Sequence, residues 1–368
     1  MKLALVLVLA ACEGVPDDLG GDPWLLADDL FHHDPHWLGA DLAATVDLVD
    51  GRTLWLFGDT FIATTAARTR RESRIVASSV AVMSGRDPET ATLDFAWQRD
   101  AEPGPFFAPI GDHTLVPMSG VRIVGTDPDG RGGPLVIFLA ELAGDEVVGT
   151  RVVRIADPSG PPASWVIEPL MLPPPPFAPD ALVGTCVAVD GGHLVAISVD
   201  GPERNARLVR WPLYGVATGD LAAREWVSLA GWVAEPDLIA RPLDRFHGAE
   251  PHCSLAYGLS ISEYSYAWRY MQRGKYGAIE ARDALELAGP FLDRYEMLWL
   301  DDESMYDPPY REVLAVQEHP TLVPYQYVGL ITYVPSSEDP ADLLDPVLEH
   351  TLHWPHFMRL VTVSTAVE

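Results

Sequence analysis

The sequence predicts an all-β chain folded as a five-bladed β-propeller, on three observations. Proline (33) and glycine (30) are abundant among the 368 residues. They are spread along the chain, which suits many short strands and turns, and no long stretch carries the apolar spacing of a helix. A pattern also recurs. "GRTLWLFGDTF" (51–61), "GGPLVIFLAEL" (132–142) and "GGHLVAISVDG" (191–201) each run from a glycine turn through leucine into an apolar stretch that reaches an acid. Finally, each follows another apolar strand: "DLAATVDL", "MSGVRIVG" and "GTCVAVD". Two later pairs, "HCSLAYGLSI" with "SYAWRYMQ" and "REVLAVQEHP" with "QYVGLITYVP", bring the units to five. Such a unit buries its faces only by stacking on its neighbours, and radial stacking of small sheets is a propeller. Two packed sheets are the competing architecture; the acid recurring at matching points favours the ring.

Taken in order, residues 1–12, "MKLALVLVLAAC", read as a lipoprotein signal peptide. Lys2 is a minimal basic start, Leu3 to Leu9 form a short apolar run, and Leu9-Ala10-Ala11-Cys12 reads as a lipobox with Cys12 the lipidated residue. An ordinary signal peptide is the alternative. The run is too short to span a bilayer, so any membrane contact is expected through the anchor alone. The expected location is the bacterial envelope, periplasmic or at the cell surface. Residues 13–36 are a Gly/Pro/Asp/His-rich lead-in, and 37–363 form one propeller domain. The segment "HFMRLVTV" (356–363) is expected to complete the first sheet and close the ring.

With 53 acidic against 25 basic residues the formal charge is −28. That excludes nucleic acid as a partner, since phosphate binding needs stripes of Lys and Arg. Besides Cys12, two cysteines remain, Cys186 and Cys253. They are candidates for one disulfide or for two buried small apolar residues. "FHHDPHW" (31–37) places three histidines and an aspartate in a short span, but neighbours on an extended segment point opposite ways. Loop packing is expected there rather than a metal site, and no cofactor is expected.

The stretch "GADLAATVDLVDGRTLWLFGDTF" (39–61) carries the chemistry. Asp50-Gly51 is a strong turn pair, and two registers compete. A two-residue turn pairs Val49 with Arg52; a three-residue turn, with Gly51 left-handed, pairs Leu48 with Arg52. Only the second sorts the side chains, with Ala44, Val46, Leu54 and Leu56 on an aliphatic face and Thr45, Trp55 and Phe57 on the other. It also sets Asp41 directly opposite Asp59, at about 4.5–5.5 Å between Cβ atoms. Two carboxylates that close raise the pKa of one, an arrangement suited to acid–base work or to metal binding. The structural alternative is a ladder that ends earlier, leaving Asp41 as a loop cap and Asp59 in an Asx turn.

At "LGAD…DGRTLWLFGDTF" the sequence resembles the opening motif of an exported protein family, domain of unknown function 4185, some of whose members cleave D-arabinan. That family in turn resembles the five-bladed propellers of glycoside hydrolase family 43. The resemblance runs over most of 37–360 and implies a glycoside hydrolase acting on a furanose-rich, arabinan-like glycan, so carbohydrate is the implied partner. It implies Asp41 as nucleophile or base, Asp59 as its tuning partner and Glu250, in "GAEPHCSLAY", as general acid. It further implies Arg282, His319, Tyr333 and Ser119, in "PMSGVRIV", as substrate-binding residues. Glu141 and Asp200 end equivalent strands and are outside candidates for the third acid. A non-catalytic, carbohydrate- or wall-binding propeller is the alternative function, because one fold hosts many functions.

Overall fold

The computed structural model describes residues 18–125, 132–234, 244–259, 266–275, 277–299, 312–322, 329–337 and 339–363. The signal peptide and Cys12 lie outside them. Five antiparallel sheets form the five blades of a β-propeller. Blade one orders Trp37–Asp47, Arg52–Ala63, Ser79–Ser84 and Thr92–Ala96; blade two orders His113–Arg122, Leu135–Ala143, Glu146–Ile155 and Ile167–Leu170. Blade three runs from Leu182–Asp190 and His193–Asp200 outward through Asn205–Pro212, and blade four from Cys253–Leu259 through Tyr266–Arg273 and Ala278–Ala284 to Tyr295–Trp299. Blade five orders Glu312–Glu318, Gly329–Ser336 and His356–Val363.

The first strand of each blade faces the axis. Trp37–Asp47 packs against His113–Arg122 and Glu312–Glu318. Leu182–Asp190 bridges His113–Arg122 to Cys253–Leu259, and Cys253–Leu259 meets Glu312–Glu318. The second strands are buried on both faces, which explains their continuous apolar runs. In "LVIFL", Leu135, Ile137 and Leu139 join a core with Leu54, Leu56 and Val80 of blade one, while Val136 and Phe138 join one with Leu194, Ala196 and Trp211 of blade three. In "LVAISV", Val195, Ile197 and Val199 turn to blade four. Strand alternation thus supplies opposite neighbours from one short segment, and each fully buried Leu, Ile or Phe contributes roughly 1.5–3 kcal/mol.

Ring closure differs from the expectation. His356–Val363 does not join the first sheet; it is the third strand of blade five, and the fourth is Asp18–Pro23 from the lead-in. The short helix Leu25–Asp28 and the 3-10 turn Asp29–His32 follow it. Leu30 and Phe31 then fill the joint between blades five and one, where Phe31 stacks on Phe357 at 5.3 Å and meets Trp55 edge-on at 5.2 Å. Asp28 fastens that joint, accepting the Phe357 N–H at 2.7 Å and pairing with His356 Nδ1 at 2.9 Å.

Candidate active site

The 39–61 hairpin forms by the three-residue turn. Leu48 N–H bonds the Arg52 carbonyl at 3.0 Å and Gly51 is left-handed at φ +87°. Val46 faces Leu54 and Ala44 faces Leu56. The aliphatic face packs on blade two and the aromatic face on blade five. The pairing then departs from the regular ladder. Leu42 and Ala43 take positive φ of 75° and 66°, Leu42 faces Phe57 instead of Gly58, and Ala40 faces Thr60. Asp41 alone therefore spans Gly58 and Asp59, a bulge of the kind that re-aims a side chain. The direct Asp41–Asp59 pairing is corrected to this offset one.

The bulge lays the Asp41 carboxyl over Gly58, where a Cβ would stand 2.0 Å from Oδ1. Oδ1 is buried and has no well-formed hydrogen bond among the described residues. The Gly58 and Asp59 N–H groups lower the pKa in part, yet the carboxyl is pushed up to about 8, by burial first and then by the charge of Asp59. Asp59 itself is exposed. Its carboxyl is also raised, by partial burial and by Asp145 in the turn after Leu135–Ala143. Asp59 is the more exposed of the two, and its charge favours the proton on Asp41. The backbone beneath is fixed: Thr60 donates to the Gly58 carbonyl at 2.7 Å, and His353 Nε2 bonds the Asp59 carbonyl at 2.9 Å. Asp145 is the acid that sequence reasoning missed. It belongs to a tight turn, where an aspartate is ordinary, so no local signal marked it.

Glu250 lies just before the inner strand of blade four. Its carboxylate is held by Arg204 and by Arg273 at 3.3 Å, and its N–H donates to Gln272 Oε1 at 2.9 Å. No described contact joins it to Asp41 or Asp59. Glu141 is likewise occupied, by Arg151 at 2.6 Å and His113 at 2.8 Å, and Asp200 by Arg207 at 3.2 Å. Arg282 stacks over Phe246 at 4.8 Å on the third strand of blade four, away from the axis.

A cavity of about 230 Å³ lies on the axis. Its lining in blade one starts at Ala44, three residues beyond Asp41, and includes Thr45, Ser119, Ser254, Gln317 and Glu318. Ser119 is among the expected residues found there, and it donates to the Gly184 carbonyl at 2.6 Å. His319 and Tyr333, expected to hold hydroxyls, are corrected to core residues. His319 is fully buried between Thr45 and Thr332, at 2.8 Å to each, and burial lowers its pKa to about 3. Tyr333 packs with Met271, Ile331 and Leu352 between blades four and five. Strand alternation explains His319, which points into the joint with blade one against Trp55 while its neighbour Glu318 turns the other way, to the cavity wall and Arg269 of blade four. Glu318 is raised by burial, opposed by Arg269 at 3.3 Å, and its Oε2 has no partner among the described residues. Of the histidines in "FHHDPHW", His32 stacks on Trp354 at 4.0 Å and His36 pairs with Asp34 at 3.3 Å.

The fold and this acid cluster define a five-bladed β-propeller with a carboxyl site at the start of its inner strands. Residues 26–100, which hold both Asp41 and Asp59, match the family model "Domain of unknown function (DUF5005)". No curated protein matches the chain. Among solved structures, the chain is similar to a putative hydrolase from Bacteroides ovatus ATCC 8483. The TM-score is 0.69 at 14% identity, over 93% of this chain and 90% of that one. Weaker likenesses include the catalytic domain of a Coprinopsis cinerea GH62 α-L-arabinofuranosidase, with a TM-score of 0.47 at 14% identity over 88% of this chain and 91% of that one. An α-L-arabinofuranosidase from Lactobacillus brevis gives 0.46 at 10% identity over 91% and 93%.

Proposed function

We propose that the protein is an exported, lipid-anchored glycoside hydrolase that cleaves a furanose-rich, arabinan-like polysaccharide or oligosaccharide by carboxylate acid–base chemistry. One observation carries the reading: the Asp41 carboxyl, its pKa pushed up to about 8 chiefly by burial, lies over Gly58 beside a second, more exposed carboxyl, Asp59, at one end of the ring. Glycoside hydrolysis asks for such a pair, one acid to protonate the leaving oxygen and one carboxylate as nucleophile or as base for water. The likeness to a putative hydrolase over nine-tenths of both chains and the first-blade motif point the same way. The charge states reverse the roles implied by the motif. Asp41, protonated at neutral pH, is the general acid, and Asp59, flanked by Asp145, is the carboxylate. Glu250, already paired with two arginines, shapes the entry of blade four.

The test is release of reducing ends from arabinan, arabinogalactan and arabinofuranosyl oligosaccharides. Wild type should release product, with the rate falling as pH rises through about 8 as Asp41 loses its proton. Asp41→Asn should lose roughly 10²–10⁴-fold, the usual worth of a positioned acid, and Glu250→Gln much less. The engagement of Glu250 by arginines specifically favours the second reading, a carbohydrate-binding propeller without catalysis. Binding of arabinan by wild type with no product from any of these glycans would establish that reading instead.

A further inference from the structure

Cys186 and Cys253 sit on the inner strands of blades three and four, Leu182–Asp190 and Cys253–Leu259. Both are free, and both are buried. The two Sγ atoms lie 2.7 Å apart, and Cys253 Sγ lies 3.6 Å from Thr185 Oγ1. Both residues line the axial cavity of about 230 Å³. One water takes roughly 30 Å³ of liquid, so the cavity admits an oxidant of that size. Two buried thiols meeting across a blade joint, on the wall of such a cavity, are more than a pair of small core residues.

We propose that Cys186 and Cys253 are an oxidisable dithiol that a small peroxide converts to one disulfide, stapling blade three to blade four at the channel wall. In the first step one thiolate attacks a peroxide oxygen. The O–O bond breaks, hydroxide leaves and takes up a proton as water, and a sulfenic acid remains. In the second step the other thiol attacks that sulfur. The S–S bond forms, the S–O bond breaks, and a second water departs with the thiol proton. Two thiols lose two electrons, and one hydrogen peroxide becomes two waters. The covalent S–S distance of about 2.05 Å requires little motion from the observed contact. Burial, and then Cys253, pushes the Cys186 thiol well above its ordinary range, so the conversion should quicken in alkaline buffer, where more thiolate forms. The bond spans 67 residues of chain, and cross-links over long loops restrict the unfolded state most.

The experiment uses the reduced full chain with a slight excess of hydrogen peroxide, followed by alkylation in denaturant and digestion without reductant. The expected result is one cross-linked peptide pair joining 186 and 253, absent after reduction. A thermal midpoint raised by about 5 °C, reversed by reductant, should accompany it. Cys186→Ser and Cys253→Ser should each abolish both signals. Peptide mapping of wild type alone decides the matter even if a variant folds poorly. Complete alkylation of both cysteines after peroxide, or separate sulfinic products without a cross-link, overturns the proposal. Neither readout depends on glycan hydrolysis.

Discussion

Asp41 is a costly residue. Its folded pKa of about 8 stands above the ordinary 3.8, so the folded chain binds this proton more tightly than the unfolded one. Linkage fixes the sign. The stability associated with the proton is complete below about pH 4 and is lost progressively between about pH 4 and pH 8, where the folded state must ionise a buried carboxyl beside Asp59. Asn at this position has the same shape and no charge to form. Asp41→Asn should therefore match wild type in thermal midpoint near pH 4, exceed it by a margin that widens toward pH 8, and hold that margin above. Melting curves across the range check this; a constant margin would mean that Asp41 is not the group that titrates. The same substitution is expected to remove activity, a trade between stability and function common at active sites.

At the scale of the element, the hairpin bulge is what aims Asp41, and Gly58 makes room for it. Gly58→Ala puts a methyl where Oδ1 lies. That oxygen ends a short rotatable side chain, so the carboxyl should swing aside while the sheet holds. Activity should fall about as far as in Asp41→Asn with little change in melting, and the double variant should be scarcely worse than either single one, because residues in contact do not add. Product release from the three variants measures the coupling. The turn and both faces of this hairpin were legible in sequence, since the aliphatic and aromatic positions separate in one register only. The bulge was not, because it rests on positive φ at Leu42 and Ala43, residues with no local preference for that conformation. Blade five shows the same limit. "REVLAVQEHP" reads as a strand of the fifth unit, but which of Glu318 and His319 lines the cavity depends on strand phase. The buried group of Arg269, Glu318 and Asp283, at 3.3 and 3.4 Å, ties blade four to blade five. Arg269→Met takes the buried Glu318 and Asp283 carboxyls' shared cation away, leaving Asp283 with the Tyr295 hydroxyl at 3.1 Å, and should cost about 3–5 kcal/mol in denaturant melts, whereas an exposed pair such as Arg74–Glu102 should change stability by under about 1 kcal/mol on removal.

The whole molecule is a ring whose blades bury their faces only against one another, so its integrity depends on how the circle closes. Three inner hairpins were readable because each repeats one pattern of glycine, leucine, apolar run and acid, and two more because a pair of apolar strands recurs after them. The closing strand was not readable. "DLGGDP" has neither apolar alternation nor β-branched residues, and becomes a strand only by pairing along 358–363. Its composition has a steric reason instead. A Cβ on Gly21 would stand 2.3 Å from Met358 Sδ and 2.7 Å from Leu298 Cδ2, so the strand lies flush against its own blade and against blade four. Gly21→Val should keep that strand from docking and leave His356–Val363 as an open sheet edge, a template for pairing with another copy. The expected outcome is a melting midpoint lowered by several degrees, with larger species in size-exclusion chromatography at high concentration. Asp28, bonded to Phe357 and His356, still fastens the lead-in, so the variant should retain its strand content in circular dichroism. A Gly21→Val protein as stable and as monomeric as wild type would show instead that the buried contacts of Asp28, Leu30 and Phe31 close the ring without the strand before them.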